Sequence, residues 1–148
     1  MGYTVSHYAG QWHLIAQVNA EGDVRPPCAN PESVVGIDVG LLNPAVASDG
    51  TVLQLPIEKL QKLDVKIRRQ QKALSRSQRN SRNHAKLLVK KQRTQNKINN
   101  IRKDAVHKFT TAIAKSHGTA VIEDLDIKEM KDKAPARSVR RAYNSSLM

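Results

Sequence analysis

Two carboxylates in this 148-residue chain each close a short apolar run: Asp38 follows Val34-Val-Gly-Ile37, and Glu123 follows Thr119-Ala-Val-Ile122. Both stand where a buried strand would meet the edge of a sheet. Were the two runs to pair side by side, the carboxylates would converge into an oxygen-rich site for Mg²⁺ or Mn²⁺. The intervening stretch of roughly 80 residues is ample for the crossover that parallel pairing needs. In two-metal phosphodiester cleavage, ions about 3.5–4 Å apart activate a water and stabilise the leaving 3′ oxygen. Gly36 and Gly40 would let backbone and phosphate come close. Taken alone, either acid is more often a turn or helix-cap residue. Asp124 and Asp126, next to Glu123, would fit a solvated acidic turn. The distribution of charge separates the two readings.

Lys and Arg number 25 against 13 Asp and Glu, a net charge of +12. Residues 1–58 carry a net −5, residues 59–108 a net +15, and residues 109–148 a net +2. Within the basic block only Asp64 and Asp104 are acidic. Lys59, Lys62, Lys66, Arg68, Arg69, Lys72, Arg76, Arg79, Arg82, Lys86, Lys90, Lys91, Arg93, Lys97, Arg102 and Lys103 therefore call for a counter-anion, and nucleic acid is the expected one. Acidic metal ligands in the same chain make sense for cutting a polyanion. Aromatic residues are nearly absent from the block, so phosphate contact rather than base stacking is the expected mode. Ribosome-like surfaces and anionic membranes are the other partners that such a charge could serve. The single cysteine, Cys28, excludes an intrachain disulfide and a cysteine-rich zinc site. No apolar run approaches the roughly 18–20 residues of a membrane-spanning helix, and the start lacks the pattern of a signal peptide. A soluble, cytoplasmic protein is expected.

The elements that would position these residues follow from periodicity. Tyr3–His7 and Trp12–Val18 alternate around Ala9-Gly10 and read as a β-hairpin. Three prolines within Arg25–Pro31 mark a linker. Val34–Val39 reads as a buried strand. Ala45–Ser48 and Thr51–Leu55 bracket Asp49-Gly50, a second hairpin signal. From Pro56 the period becomes helical, with Leu60, Leu63, Ile67 and Leu74 on one face. Residues 75–83 lack apolar side chains and predict a turn. A second helical stripe runs through Leu88, Ile98, Ile101, Ala105, Phe109 and Ala112 or Ile113, ending at Gly118 in a glycine-favouring C′ position. The two helices are expected to form an antiparallel hairpin. Thr119–Ile122 is a compact strand, and the last dozen residues could form a basic helix.

Several single residues carry smaller expectations. His107, three residues after Asp104, suits an orienting hydrogen bond. Trp12 reads as a core or hairpin anchor. His7, His13, His84 and His117 show no metal spacing, and Cys28 has no evident partner.

Val34-Val-Gly-Ile-Asp-Val-Gly-Leu-Leu-Asn43, Ser48-Asp-Gly50, the basic helices, and Val121-Ile-Glu-Asp-Leu125 with Met130 together resemble the TnpB (OrfB) proteins of bacterial insertion sequences. Asn99–Lys108 is similar to that family's helix leading into the second catalytic strand, and Gly10-Gln-Trp12 to the last hairpin of the β-barrel preceding its nuclease domain. The resemblance covers about residues 1–148.

It implies an α/β chain. Residues 1–30 would be a β-hairpin and Pro-rich linker from the end of a β-barrel. Residues 31–148 would be a partial RNase H-like (RuvC) nuclease domain interrupted by a basic helical hairpin over 57–117. Asp38 matches the family's first catalytic carboxylate and Glu123 its second. The implied activity is RNA-guided cleavage of DNA, with guide RNA and DNA as partners and sequence read by base pairing. The family's third catalytic aspartate and four-cysteine zinc module lie beyond the last residue here. Two Mg²⁺ ions would face only Asp38 and Glu123, so weak metal binding and little cleavage by this polypeptide alone are expected. On this reading it is a fragment, a decayed copy or a truncated reading frame. A non-catalytic DNA- or RNA-binding module built on the arm is the alternative. The sugar-kinase, actin and chaperone ATPases share the topology and a Gly-Ile-Asp-x-Gly loop with a nearby Asn, which Asn43 would supply. No second phosphate loop accompanies it.

Overall fold

The computed structural model describes residues 2–19, 22, 27–40 and 44–124. The expectations for Arg25, Pro26, Asn43, Asp126, Met130 and the C-terminal basic helix lie outside them. Mixed α/β architecture is what these residues form, in the order β1 (Gly2–Tyr8), β2 (Gln11–Gln17), β3 (Val34–Asp38), β4 (Val46–Ala47), α1 (Ile57–Arg76), α2 (Arg82–Ser116) and β5 (Thr119–Ile122). Two compact units result. One comprises residues 1–25 and 56–101, the other residues 26–55 and 102–148, so that α2 contributes to both.

In the first unit, β1 and β2 pair antiparallel from Gly2↔Gln17 to Tyr8↔Gln11. The two loop residues both take positive φ, Ala9 at 54° and Gly10 at 73°. Such a loop twists with the strands, and glycine suits it. Alanine does not, at a cost of about 1–2 kcal/mol for its Cβ. Arg93 offsets that strain by donating from Nε to the Ala9 carbonyl oxygen at 2.9 Å. Trp12 is 75% exposed and tilts against the ring of His7. It thus braces the ribbon surface rather than a core.

The helical arm forms as its periodicity requires, with a turn over residues 77–81 that is shorter than the apolar gap. Serines and histidine close this turn. The Ser77 hydroxyl donates to Leu74 O at 2.7 Å, Ser81 Oγ accepts from the His84 amide at 3.1 Å, and Ser77 Oγ lies 2.8 Å from His84 Nδ1. The Ser81 bond satisfies one of the free amides that begin a helix. Leu60 and Leu74 of α1 and Ile98 of α2 are buried, with Leu63, Ile67 and Leu87 half-buried. Leu87 takes the inner position that the sequence pattern assigned to Leu88, which is exposed.

The missing tooth of the α1 stripe, between Ile67 and Leu74, is Gln70. It is buried, as is Thr94 opposite it. Gln70 Nε2 donates to Thr94 Oγ1 at 3.1 Å, and Thr94 passes its own proton to Lys90 O at 3.1 Å. A polar pair in an otherwise apolar seam fixes the register of two helices at some cost in stability. Part of that cost is visible, since Gln70 Oε1 is buried with no partner among the described residues.

In the second unit, β3 is the centre of a three-stranded sheet ordered β4-β3-β5. It runs antiparallel to β4, with Asp38 opposite Val46, and parallel to β5, with Ile37 opposite Ile122. Val35, Ala45, Ala47 and Leu53 pack on Phe109 and Ile113 of α2, and Ile37 and Ala105 border them. Ile113, not Ala112, completes the helix stripe. Each of these larger side chains contributes about 1.5–3 kcal/mol by leaving water. The apolar run over Val34–Val39 predicts a buried strand. Only one face is covered, and Val34 is 63% exposed. The Asp49-Gly50 hairpin is abbreviated: its second arm contributes one bridge, Val46↔Val52, rather than a strand.

Gly118 follows α2, but its φ is not positive. Glycine is required there because a Cβ would overlap the Pro31 carbonyl.

The buried pair in the arm gives a direct test. Thr94→Val alone should destabilise by about 1–3 kcal/mol, because the Gln70 amide is stranded. Gln70→Leu with Thr94→Val should return stability to the wild-type level or above it. Urea unfolding of both single variants and the double variant measures the coupling, and additivity would show there is none.

Candidate functional site

Parallel pairing carries the two acids together. Because Ile37 is opposite Ile122, Asp38 and Glu123 fall one step further along neighbouring strands and on the same face. Backbones at such positions are about 4.8 Å apart. Both acids are exposed, and both line one open cleft with Gly36, Val46, Ser48 and Val121. Gly36 forms a bare stretch of its floor, since a Cβ there would meet nothing within 4 Å. The cleft thus offers carboxylate oxygens over an open backbone. Hard oxygen donors of this kind fit a divalent Mg²⁺ or Mn²⁺, with water and phosphate oxygens as the other ligands. Among the described residues no group of three or more His, Cys, Asp and Glu is gathered for a metal ion.

The basic residues lie as a solvated helical surface. Of the sixteen cations named above, all are exposed except Lys91 and Arg102, which are half-buried. Asp64 neutralises none of them among the described residues, and Asp104 pairs with Lys108 at 2.7 Å. That pairing replaces the expected Asp104–His107 contact, because an i, i+4 lysine reaches the carboxylate on the same helix face. The Arg93 guanidinium is committed to the Ala9 carbonyl.

Three polar residues that sequence reasoning did not connect meet at the rim of the sheet. His117 sits just beyond α2, with Nδ1 2.9 Å from Ser33 Oγ and Nε2 3.0 Å from Asp49 Oδ2. Asp49 Oδ1 accepts from the Thr51 amide at 2.7 Å. Its neighbour Ser48 grips β3, accepting from Gly36 N at 3.1 Å through Oγ and donating from its amide to Gly36 O at 2.8 Å. The Asp49 carboxyl is lowered from 3.8 to about 2, first by the Thr51 amide and then by His117. Asp49-Gly50 is legible as a turn, and Gly50 does take φ 88°. Its link to His117, 68 positions away, has no signal in a single sequence.

Residues 16–134 match the OrfB_IS605 family, described as "Probable transposase". Over 143 residues the chain is 40% identical to "Putative RNA-guided DNA endonuclease InsQ" of Escherichia coli strain K12, covering 93% of this chain and 35% of that protein. A protein of Mycobacterium tuberculosis strain CDC 1551 / Oshkosh, also named "Putative RNA-guided DNA endonuclease", is 34% identical over 128 residues, with 81% of this chain and 28% of that one covered. One of Streptomyces pristinaespiralis with the same designation is 29% identical over 136 residues, with 90% and 33% covered. The chain thus spans about a third of the length of these curated relatives.

The lowered Asp49 carboxyl sets an acid limb for stability. An acid whose pKa falls on folding stabilises the fold above its unfolded value and loses that contribution as pH drops through the folded one. The Asp49 contribution should therefore be full above about pH 5, fall as pH drops through the folded value of about 2, and be gone by about pH 1. Urea unfolding at successive pH values should show a shallower decline over this window in Asp49→Asn than in the wild type.

Proposed function

The chain belongs to the OrfB_IS605 transposase family, and from that premise we propose that it is the part of a TnpB-like RNA-guided DNA endonuclease that carries two of its catalytic carboxylates. Residues 31–148 are read as a partial RuvC-like domain of the RNase H fold, with the arm over 57–117 inserted in it. Residues 1–30 are read as the end of a β-barrel. The observation that carries this reading is the parallel register of β3 and β5, which sets Asp38 and Glu123 side by side at one cleft. Relatives named as RNA-guided DNA endonucleases support the same assignment.

In this reading Asp38 and Glu123 hold a divalent ion, which when bound supplies Lewis-acid charge for phosphodiester cleavage. Two carboxylates balance one such ion but not two, so affinity is weak. Gly36 leaves room for a phosphate at the cleft floor. The exposed lysines and arginines of the arm bind the backbones of DNA and guide RNA, and base pairing reads the sequence. A second reading, a nucleic-acid binder without cleavage, is favoured by the solvated arm and by the absence of a third gathered ligand among the described residues.

Two measurements on the full chain separate these readings. Titration with Mn²⁺ followed by water-proton relaxation should detect a weak site that is lost in Asp38→Asn and in Glu123→Gln. An unchanged titration in both would remove the nuclease reading. Retention on RNA and duplex DNA should survive those substitutions and fall in Lys66→Glu, Lys72→Glu, Lys90→Glu, chosen to spare Arg93. Neutralising about six phosphates gives a salt slope near −5 on duplex, which the triple variant should lower by about 3. Equal retention by the triple variant would remove the arm as the binding surface.

A further inference from the structure

The register that makes the site is not set by burial. All four residues of β5 are exposed, so its alternation favours no particular pairing. Where neither face of a strand is buried, register is weakly specified and slippage is easy. A slip of one position would turn Glu123 to the opposite face from Asp38, and a slip of two would move it about 6.6 Å along the strand. Some other device must hold β5.

The rim contacts have the geometry of such a device. His117 is two residues before β5, Ser33 is one residue before β3, and Asp49 is in the turn after β4. One imidazole therefore touches the entry of both parallel strands and the turn of the third. The backbone agrees. Gly118 N donates to Asn30 O at 3.1 Å, and Thr119 N donates to Ser33 O at 3.1 Å. The Pro31 carbonyl packs where a side chain on Gly118 would project, which blocks a shift of sequence at that point. Ser33 Oγ also lies 3.0 Å from Asn30 O, so His117 keeps its contacts with Ser33 and Asp49 in either ring state while the Ser33 proton changes acceptor. Neutral, it donates from Nε2 to Asp49 and accepts the Ser33 proton at Nδ1. Charged, it donates from both nitrogens while Ser33 donates to Asn30 O.

We propose that Ser33, Asp49 and His117 are positioning residues for the carboxylate pair, locking β5 against β3 in the one register that places Glu123 beside Asp38. The proposal rests on the reading of that pair as a metal-binding site, and its test keeps the two apart.

Amide exchange and Mn²⁺ broadening are followed together by NMR on the full chain. In His117→Ala, protection at Thr119 and Ile122 should fall at least tenfold while Phe109 in the core keeps its protection. Mn²⁺ should broaden the amides of Asp38 and Glu123 together in the wild type, but only that of Asp38 in His117→Ala. His117→Gln, which can donate to Asp49 or accept from Ser33, should recover part of both signals. Ser33→Ala removes one hydroxyl and should give an intermediate loss, which serves if His117→Ala fails to fold. Protection at Thr119 within twofold of wild type in Ser33→Ala and His117→Gln alike, with both amides still broadened, would overturn the proposal. If Mn²⁺ broadens neither amide in the wild type, the metal reading fails, and the exchange at Thr119 and Ile122 alone decides the lock.

Discussion

Parallel pairing of β3 with β5 is the contact on which the candidate site depends, and it is expensive to make. About eighty residues separate the two strands, and closing a loop of that length costs entropy before any contact compensates for it. The strands exchange only the pairs from Val34↔Thr119 to Ile37↔Ile122. What makes the closure feasible is α2, which brings Phe109 and Ile113 onto Val35, Ala45, Ala47 and Leu53 and ends three residues before β5. The rigid helix converts a long loop into a short one. The approach of β5 is then decided by residues 117–118 rather than by the arm.

The arm faces an opposite constraint. To hold a row of cations in water it must devote most of each helix surface to lysine and arginine, leaving a narrow stripe for packing. In that stripe Leu60, Leu63, Ile67 and Leu74 supply burial, and Gln70 with Thr94 supplies register. A stripe filled entirely by leucine would be more stable and less particular about alignment. Arg93 shows the same economy, a basic residue taken from the solvated surface to hold the strained Ala9 turn.

Much of this was readable from residue types. The hairpin about Ala9-Gly10, both helices, the turn between them, and the strand ending at Glu123 all rest on local signals, and each formed close to its expected bounds. Asp38 and Glu123 were legible as a pair because each ends an apolar run and a long crossover permits parallel strands. What escaped was whatever depends on a partner distant in sequence. Nothing near Gln70 announces Thr94, and nothing near Asp49 announces His117. Gly118 was expected for a conformational reason and is needed for a steric one, since Pro31 lies 87 positions earlier. Val34–Val39 was legible as a buried strand, although an apolar run does not tell one covered face from two. Trp12 is exposed for a related reason, as the described ribbon of two strands has no layer to bury it.

Under the proposed metal-binding role of Asp38 and Glu123, the use of polar groups rather than apolar ones at the rim follows from what the cleft would have to present. A carboxylate that is to meet a hydrated cation and a phosphate has to remain ionised and open to water, and burying it would favour the neutral acid. Apolar packing therefore cannot be carried to the end of β5 without spoiling Glu123. Hydrogen bonds at the other end of the strand escape that conflict. They fix the position of the first residue, and the stiffness of four extended residues carries that position to the last. Asp49 is suited to the task because the Thr51 amide and then His117 hold its carboxyl well below the usual carboxylate range, which keeps the anchor charged into acid.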